Sequence, residues 1–180
     1  MLFRSRRALL AAERPDLQFV ELRGNIQTRL SKLPEGGALV MAVAALQILG
    51  LTDRIAEALE VDRMVPAPGQ GCVAIECRAG DAATAALLAA VDHAPTREAV
   101  TAERAFLAEL GTGCSLPVAV HAERVDGDLL LHGFLADPAT GRTARAVASL
   151  AIDPAERLSE AATVARDLQA ALAAGGAAEA

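Results

Sequence analysis

Cys114 stands in the stretch LGTGCSLP (110–117), with Gly111 and Gly113 before it and Pro117 after it. A thiolate is the strongest nucleophile this composition offers, and nearby cations or a helix N-terminus lower a thiol's pKa. A turn loosened by glycines leaves such a group open to a reaction partner. A free cysteine that merely fills a turn is the plainer alternative, and sequence physics alone favours it. The other two cysteines, Cys72 and Cys77, alternate with Val73, Ala74 and Ile75 in CVAIEC, where packing on a strand accounts for both. Three unevenly spaced cysteines without a CxxC pair give neither a disulfide framework nor a zinc site, and they fit a reducing cytoplasm.

The second group able to do chemistry is cationic. Residues 1–32 carry seven Lys/Arg against three acids, a net of +4, although the whole chain is at −6. Six of those seven cations are arginine, whose planar fork matches carboxylates and phosphates. Arg23 closes an expected strand at Gly24, and Arg29 lies on the helix expected to follow. Ligands of open α/β sheets bind outside the carboxyl ends of strands, and backbone N–H groups at the start of the Ile26 helix would add an anion site. Arg6 and Arg7 lie on a terminal helix, where a solvated basic face is the plainer reading. Gln70, between two glycines in PGQG, is either presented to a ligand or part of a plain turn. None of His93, His121 and His132 has a ligand partner at i+3 or i+4, so no metal is expected. With no Trp or Tyr and four Phe, platforms for stacking bases are scarce, and nucleic acid is a poor candidate partner. A small polyanion is a better one.

The elements that must position these groups change character along the chain. The basic start followed by ALLAA faintly imitates a signal peptide, but the apolar run is too short and leads into Glu13-Arg14-Pro15-Asp16, so a helix ending at Pro15 is expected. LQFVELRG reads as a strand, IQTRLSKL as a helix, the continuous apolar run ALVMAVAAL as a strand buried on both faces, and LTDRIAEALE as a short helix. That order is a right-handed βαβ pattern and gives α/β for the first sixty residues. After the Pro/Gly connector MVPAPGQG, the segment CVAIEC reads as a strand with no obvious partner. From about residue 81 the pattern becomes α+β. Two helices precede the Cys114 turn. Three strands follow, joined by Asp126-Gly127 and PATG, and a closing helix carries Leu158, Ala162, Ala165, Leu168 and Leu172 on one face. No apolar run approaches bilayer length.

The stretches LRGNIQTRLSKL, AVAALQILGL, VPAPGQGCVAIECR and TAERAFLAELGTGCSLPVAVHAE are collinear with those of the hydroxymethylbilane synthase family, which the whole chain resembles. The resemblance implies a partial doubly wound, periplasmic-binding-protein-like domain followed by a small α+β domain with a three-stranded antiparallel sheet packed by helices. The implied organisation is residues 1–64 as the C-terminal part of a second α/β domain, 65–80 as a connector and strand belonging to an absent first domain, and 81–180 as the cofactor-bearing domain. It implies a cytoplasmic transferase of tetrapyrrole biosynthesis, with a dipyrromethane cofactor held by a thioether to Cys114. Porphobilinogen units, four in all, would be condensed on that anchor with loss of ammonia, and hydrolysis would release hydroxymethylbilane. Arg23 and Arg29 match two of the arginine positions with which the family binds the carboxylates of the growing chain, and Arg6 and Gln70 are assigned to the cofactor site with them.

The departures from the family pattern are specific. The family's chains are longer, and its catalytic aspartate and a lysine belong to an N-terminal part that has no counterpart here, so no catalytic residue is assigned. Aligned from RPDL, the family's arginine pair falls on Ser5 and Arg6, and Ile48 stands where another arginine is usual. An apolar side chain cannot pair with a carboxylate. The alternative is therefore an inactive truncated remnant, or a non-catalytic carboxylate-binding module that needs a separate N-terminal half. Uncovered apolar surface around ALVMAV and CVAIEC predicts self-association.

Overall fold

The computed structural model describes residues 4–111 and 116–175. Its helices are α1 (Arg4–Glu13), α2 (Ile26–Ser31), α3 (Val43–Ile48), α4 (Ala82–Leu88), α5 (Ala94–Glu109) and α6 (Pro154–Ala174). Its strands are β1 (Val118–Val125), β2 (Asp128–Ala136) and β3 (Thr143–Leu150). The strands form one antiparallel sheet in the order β1-β2-β3.

The sheet follows from its turns and its alternation. Asp126 and Gly127 both have positive φ (51° and 98°), which is what a two-residue hairpin turn with the right twist requires. Val125 then faces Asp128, and that register carries His121 opposite His132. Along β2, Leu129, Leu131 and Leu135 join Val120 and Ala122 of β1 and Ala144 and Leu150 of β3 in the main core, against Ala102 and Phe106 of α5 and Ala161, Ala165 and Leu168 of α6. The intervening residues Ala119, Phe134 and Ala136 face the other way, where Leu9 of α1 and Val65 cover them. Burying a side chain such as Phe106 or Leu131 in this way contributes about 1.5–3 kcal/mol.

One position sets the spacing of the main layer. Gly133 of β2 lies under both helices, and a Cβ there would sit 2.8 Å from Leu168 Cδ1 and 3.0 Å from Phe106 Cε2. The corner where both helices begin is tied by charge. Glu98 of α5 takes Arg124 of β1 at 2.6 Å and the buried Arg157 of α6 at 2.6 Å. Arg157 also donates to the carbonyls of Ala151 and Ile152. That arrangement corrects the expected face of α6. Arg157, Ala161, Ala165 and Leu168 point inward, while Leu158 is exposed and Ala162 only half-buried. Only the first turns differ, with Arg157 and Ala161 inward in place of Leu158 and Ala162 and a guanidinium closing the β3–α6 turn from inside, while Ala165, Leu168 and Leu172 pack on the core as expected.

The first eighty residues depart further from expectation. LQFVELRG and CVAIEC carry no strand ladder, and ALVMAVAAL is irregular through residue 42 and then forms α3. LTDRIAEALE gives only a 3₁₀ turn at Thr52–Arg54. A strand exists only through hydrogen bonds to a neighbour, and among the described residues these segments have none to pair with. Their apolar side chains accordingly lie open: Ile48 is 86% exposed and Val73 88%. Cys77 is exposed and Cys72 half-buried, so neither is the packed strand residue that the alternation suggested.

Candidate anion-binding corner

Four elements bring the predicted cationic and polar groups together. In α1, Ser5 and Leu9 share the buried face, and Arg6 is half-buried beside it. Arg6 Nη2 donates to Gln70 Oε1 at 2.9 Å, and Nη1 reaches the Val40 carbonyl at 3.4 Å. Gln70 is placed by the turn Ala67–Gln70, where its N–H donates to Ala67 O and Gly69 takes a φ of 66°. Arg29 of α2 supplies the fourth group. Its like charge, together with the larger effect of desolvation, lowers the proton affinity of Arg6. Two half-buried guanidinium groups are thus within electrostatic reach of each other.

The local sequence explains how Arg29 is aimed. Asn25 caps α2, its Oδ1 accepting from the Thr28 N–H and the Thr28 hydroxyl, both at 2.8 Å. Gly24, at a φ of 129°, makes the preceding turn, and its carbonyl accepts from Arg29 Nε at 2.7 Å. RGN-x-x-TR is thus a capped turn that fixes an arginine over its own glycine. The same cap occupies one of the N–H groups at the start of α2, that of Thr28, with the Asn25 side chain.

Two predicted residues do not join the corner. Arg23 is exposed and pairs with Glu21 at 3.3 Å. Cys114 lies outside the described residues. Ile48 is exposed and Ser5 is buried on α1, so neither replaces the arginine that the family pattern would have there.

Glu103 escaped the sequence analysis. It is buried on α5, its Oε2 accepting the Gly69 N–H at 2.6 Å and its Oε1 the Ala122 N–H at 3.0 Å. His121 Nδ1 is 3.3 Å from the same Oε1, and this contact raises the histidine's proton affinity against the opposing effect of burial, with further help from Glu123. The signal was present in the sequence: position 103 falls on the apolar stripe Ala99, Ala102, Phe106, Leu110. An acid inside such a stripe demands partners.

The remaining histidines differ. His93 caps α5, whereas the ring nitrogens of the buried His132 make no hydrogen bond among the described residues, although Nε2 lies 3.2 Å from Glu123. Among the described residues, no helix is long and apolar enough to cross a membrane.

Two family models match the chain. Residues 4–86 match "Porphobilinogen deaminase, dipyromethane cofactor binding domain", and residues 97–172 match "Porphobilinogen deaminase, C-terminal domain". Among curated relatives named porphobilinogen deaminase, that of Stenotrophomonas maltophilia (strain K279a) is 48% identical over 145 residues, covering 79% of this chain and 48% of the relative. That of Thermobifida fusca (strain YX) is 51% identical over 126 residues, covering 68% and 39%. That of Roseiflexus castenholzii (strain DSM 13941 / HLO8) is 48% identical over 149 residues, covering 81% and 49%. The chain spans about half the length, or less, of these relatives. With both family models in sequence order and their matches spanning the sheet and the arginine corner alike, the chain belongs to the porphobilinogen deaminase family.

Proposed function

We propose that this chain carries the product-anchoring part of a porphobilinogen deaminase, a cytoplasmic transferase of tetrapyrrole biosynthesis also known as hydroxymethylbilane synthase. The observation that carries this reading is the contact of Arg6 with Gln70, 64 residues apart in the chain, with the charge of Arg29 acting on the same guanidinium. In this reading the reaction condenses four porphobilinogen units with loss of ammonia and ends with hydrolytic release of hydroxymethylbilane. The donor set fits a dipyrromethane group, because such a group carries several carboxylates and this corner offers guanidinium forks and an amide. When bound, it supplies the nucleophilic pyrrole end on which chain growth starts. Cys114 anchors it through a thioether and so makes each addition effectively intramolecular. Arg6 and Arg29 hold the carboxylates and Gln70 orients Arg6, while Arg23 is held apart, paired with Glu21, and would have to leave that partner to take part.

The organisation that goes with this reading is residues 1–64 as part of a periplasmic-binding-protein-like α/β domain, 65–80 as a connector, and 81–180 as the anchoring domain. Intact-mass measurement of the purified chain, with peptide mapping around Cys114, tests it. The expected result is a mass excess of two linked pyrrole units on that peptide, acquired on incubation with porphobilinogen together with a polypeptide that covers the relatives' remaining length, and lost in Cys114→Ser. An unmodified thiol after incubation overturns the reading.

A second proposal follows from the exposed apolar side chains of Val20, Ile48, Val73 and Ile75 and from the segments without ladder partners. The region 4–80 is completed by a strand-bearing polypeptide, and until then the chain self-associates and turns over no porphobilinogen. Light scattering is expected to give a mass above 18.5 kDa. Adding a polypeptide that covers the relatives' remaining length should restore both monodispersity and turnover. A monodisperse, active chain on its own would refute this second proposal.

A further inference from the structure

We infer that Glu103 is a positioning residue that fixes Gln70 against Arg6 and couples that corner to α5, the helix whose chain continues toward Cys114. The inference rests on the proposed function for its purpose and on geometry for its content.

A buried carboxylate is a costly way to fill a core position. A leucine or methionine at 103 would continue the apolar stripe of α5 without that cost. What neither could do is accept two backbone N–H groups from different parts of the chain. Glu103 does so, taking Ala122 of β1 and Gly69 of the connector with its two oxygens. β1 is an edge strand, and its outward N–H groups need partners. Val120 finds one in the Pro66 carbonyl at 3.0 Å, and Ala122 finds one in Glu103.

The connector is thereby held at Pro66 by the sheet and at Gly69 by the helix. Gln70, the next residue, takes its place from the second of these points. Its own N–H is occupied within the turn, donating to Ala67, so the side chain that meets Arg6 is set by where Gly69 is held. One carboxylate therefore fixes the distance between the helix leading to the anchor cysteine and the cationic corner.

The test compares the full-length chain with Glu103→Met and Glu103→Gln by amide hydrogen exchange, urea unfolding and porphobilinogen binding. Met keeps the volume and removes both acceptors. Gln keeps one acceptor and presents an NH₂ group to the other donor. Exchange at Gly69 and Gln70 is expected to rise at least ten-fold in Glu103→Met and less in Glu103→Gln, with exchange at Leu131 and Leu135 unchanged. The dissociation constant for porphobilinogen should rise several-fold in the same order. Unchanged exchange at 69–70, or a rise spread equally over the whole sheet, overturns the inference. If Glu103→Met does not fold, the Gln variant decides by the same pattern. Absence of porphobilinogen binding by the wild-type chain would count against the proposed function, while the exchange pattern would still decide whether Glu103 holds the connector.

Discussion

Residues 94–175 and residues 4–80 contain similar proportions of apolar side chains but use them differently. In the first region each strand finds a neighbour through a short turn, and α5 and α6 cover one face of the sheet with Phe106, Ala165 and Leu168. In the second, segments with equally strong strand character lie without ladders, and the region is held to the sheet by a few points. These are Leu9 and Val65 against Phe134, the Pro66 carbonyl on β1, and Arg145, which donates to Asp62 O at 2.6 Å and lies 3.7 Å from Glu13. The contrast shows that a strand is a property of a pair. Antiparallel neighbours come from nearby sequence, whereas the parallel arrangement suggested by residues 17–46 needs partners from far away in a chain.

The comparison can be tested at three levels of effect. Phe106→Ala should cost about 3–5 kcal/mol, because it empties the centre of the layer between α5, α6 and the sheet. Urea unfolding should show this as an earlier loss of the sheet signal. A cost below 1 kcal/mol would mean that the self-contained region is not built as described.

The junction between the regions is expected to respond to pH. The proton affinity of His121 is raised in the folded protein, so its pairing with Glu103 stabilises in full below the ordinary histidine value of 6.5 and fades as pH rises through the raised value. For a partly exposed pair this amounts to about 1 kcal/mol or less. Thermal melts from pH 6 to pH 9 should show a decline that His121→Gln removes.

The smallest effect belongs to the open segments. Val73→Thr with Ile75→Thr should change stability by less than about 0.5 kcal/mol, as surface substitutions do. The same pair should reduce self-association measured by light scattering. A large loss of stability would show that these residues are packed after all, and the contrast between the regions would collapse.

What the sequence made legible divides along the same line. The hairpin at Asp126-Gly127, the three strands and the helices α5 and α6 could be read because their signals are local. The strand expected at 38–46 failed because a continuous apolar run does not distinguish a buried strand from the start of a helix such as α3. The start of α6's inward face departs from expectation because a buried arginine occupies a position that hydrophobicity assigns to solvent, whereas Ala165, Leu168 and Leu172 face inward as their spacing suggested. The site was legible where a motif closes on itself, as Gly24, Asn25, Thr28 and Arg29 do, and Arg6 and Gln70 were named without any means of knowing that they touch. Glu103 could be read as an acid inside the apolar stripe of α5, but its hydrogen-bond donors, the Gly69 and Ala122 backbone N–H groups, could not, because backbone donors carry no residue type.

The close approach at Gly133 also sets one thickness for two helices at once. The place a Cβ would occupy lies 2.8 Å from Leu168 Cδ1 of α6 and 3.0 Å from Phe106 Cε2 of α5. A single methyl group there would press on both helices together, so one hydrogen atom fixes the seat of α5 and α6 on the sheet.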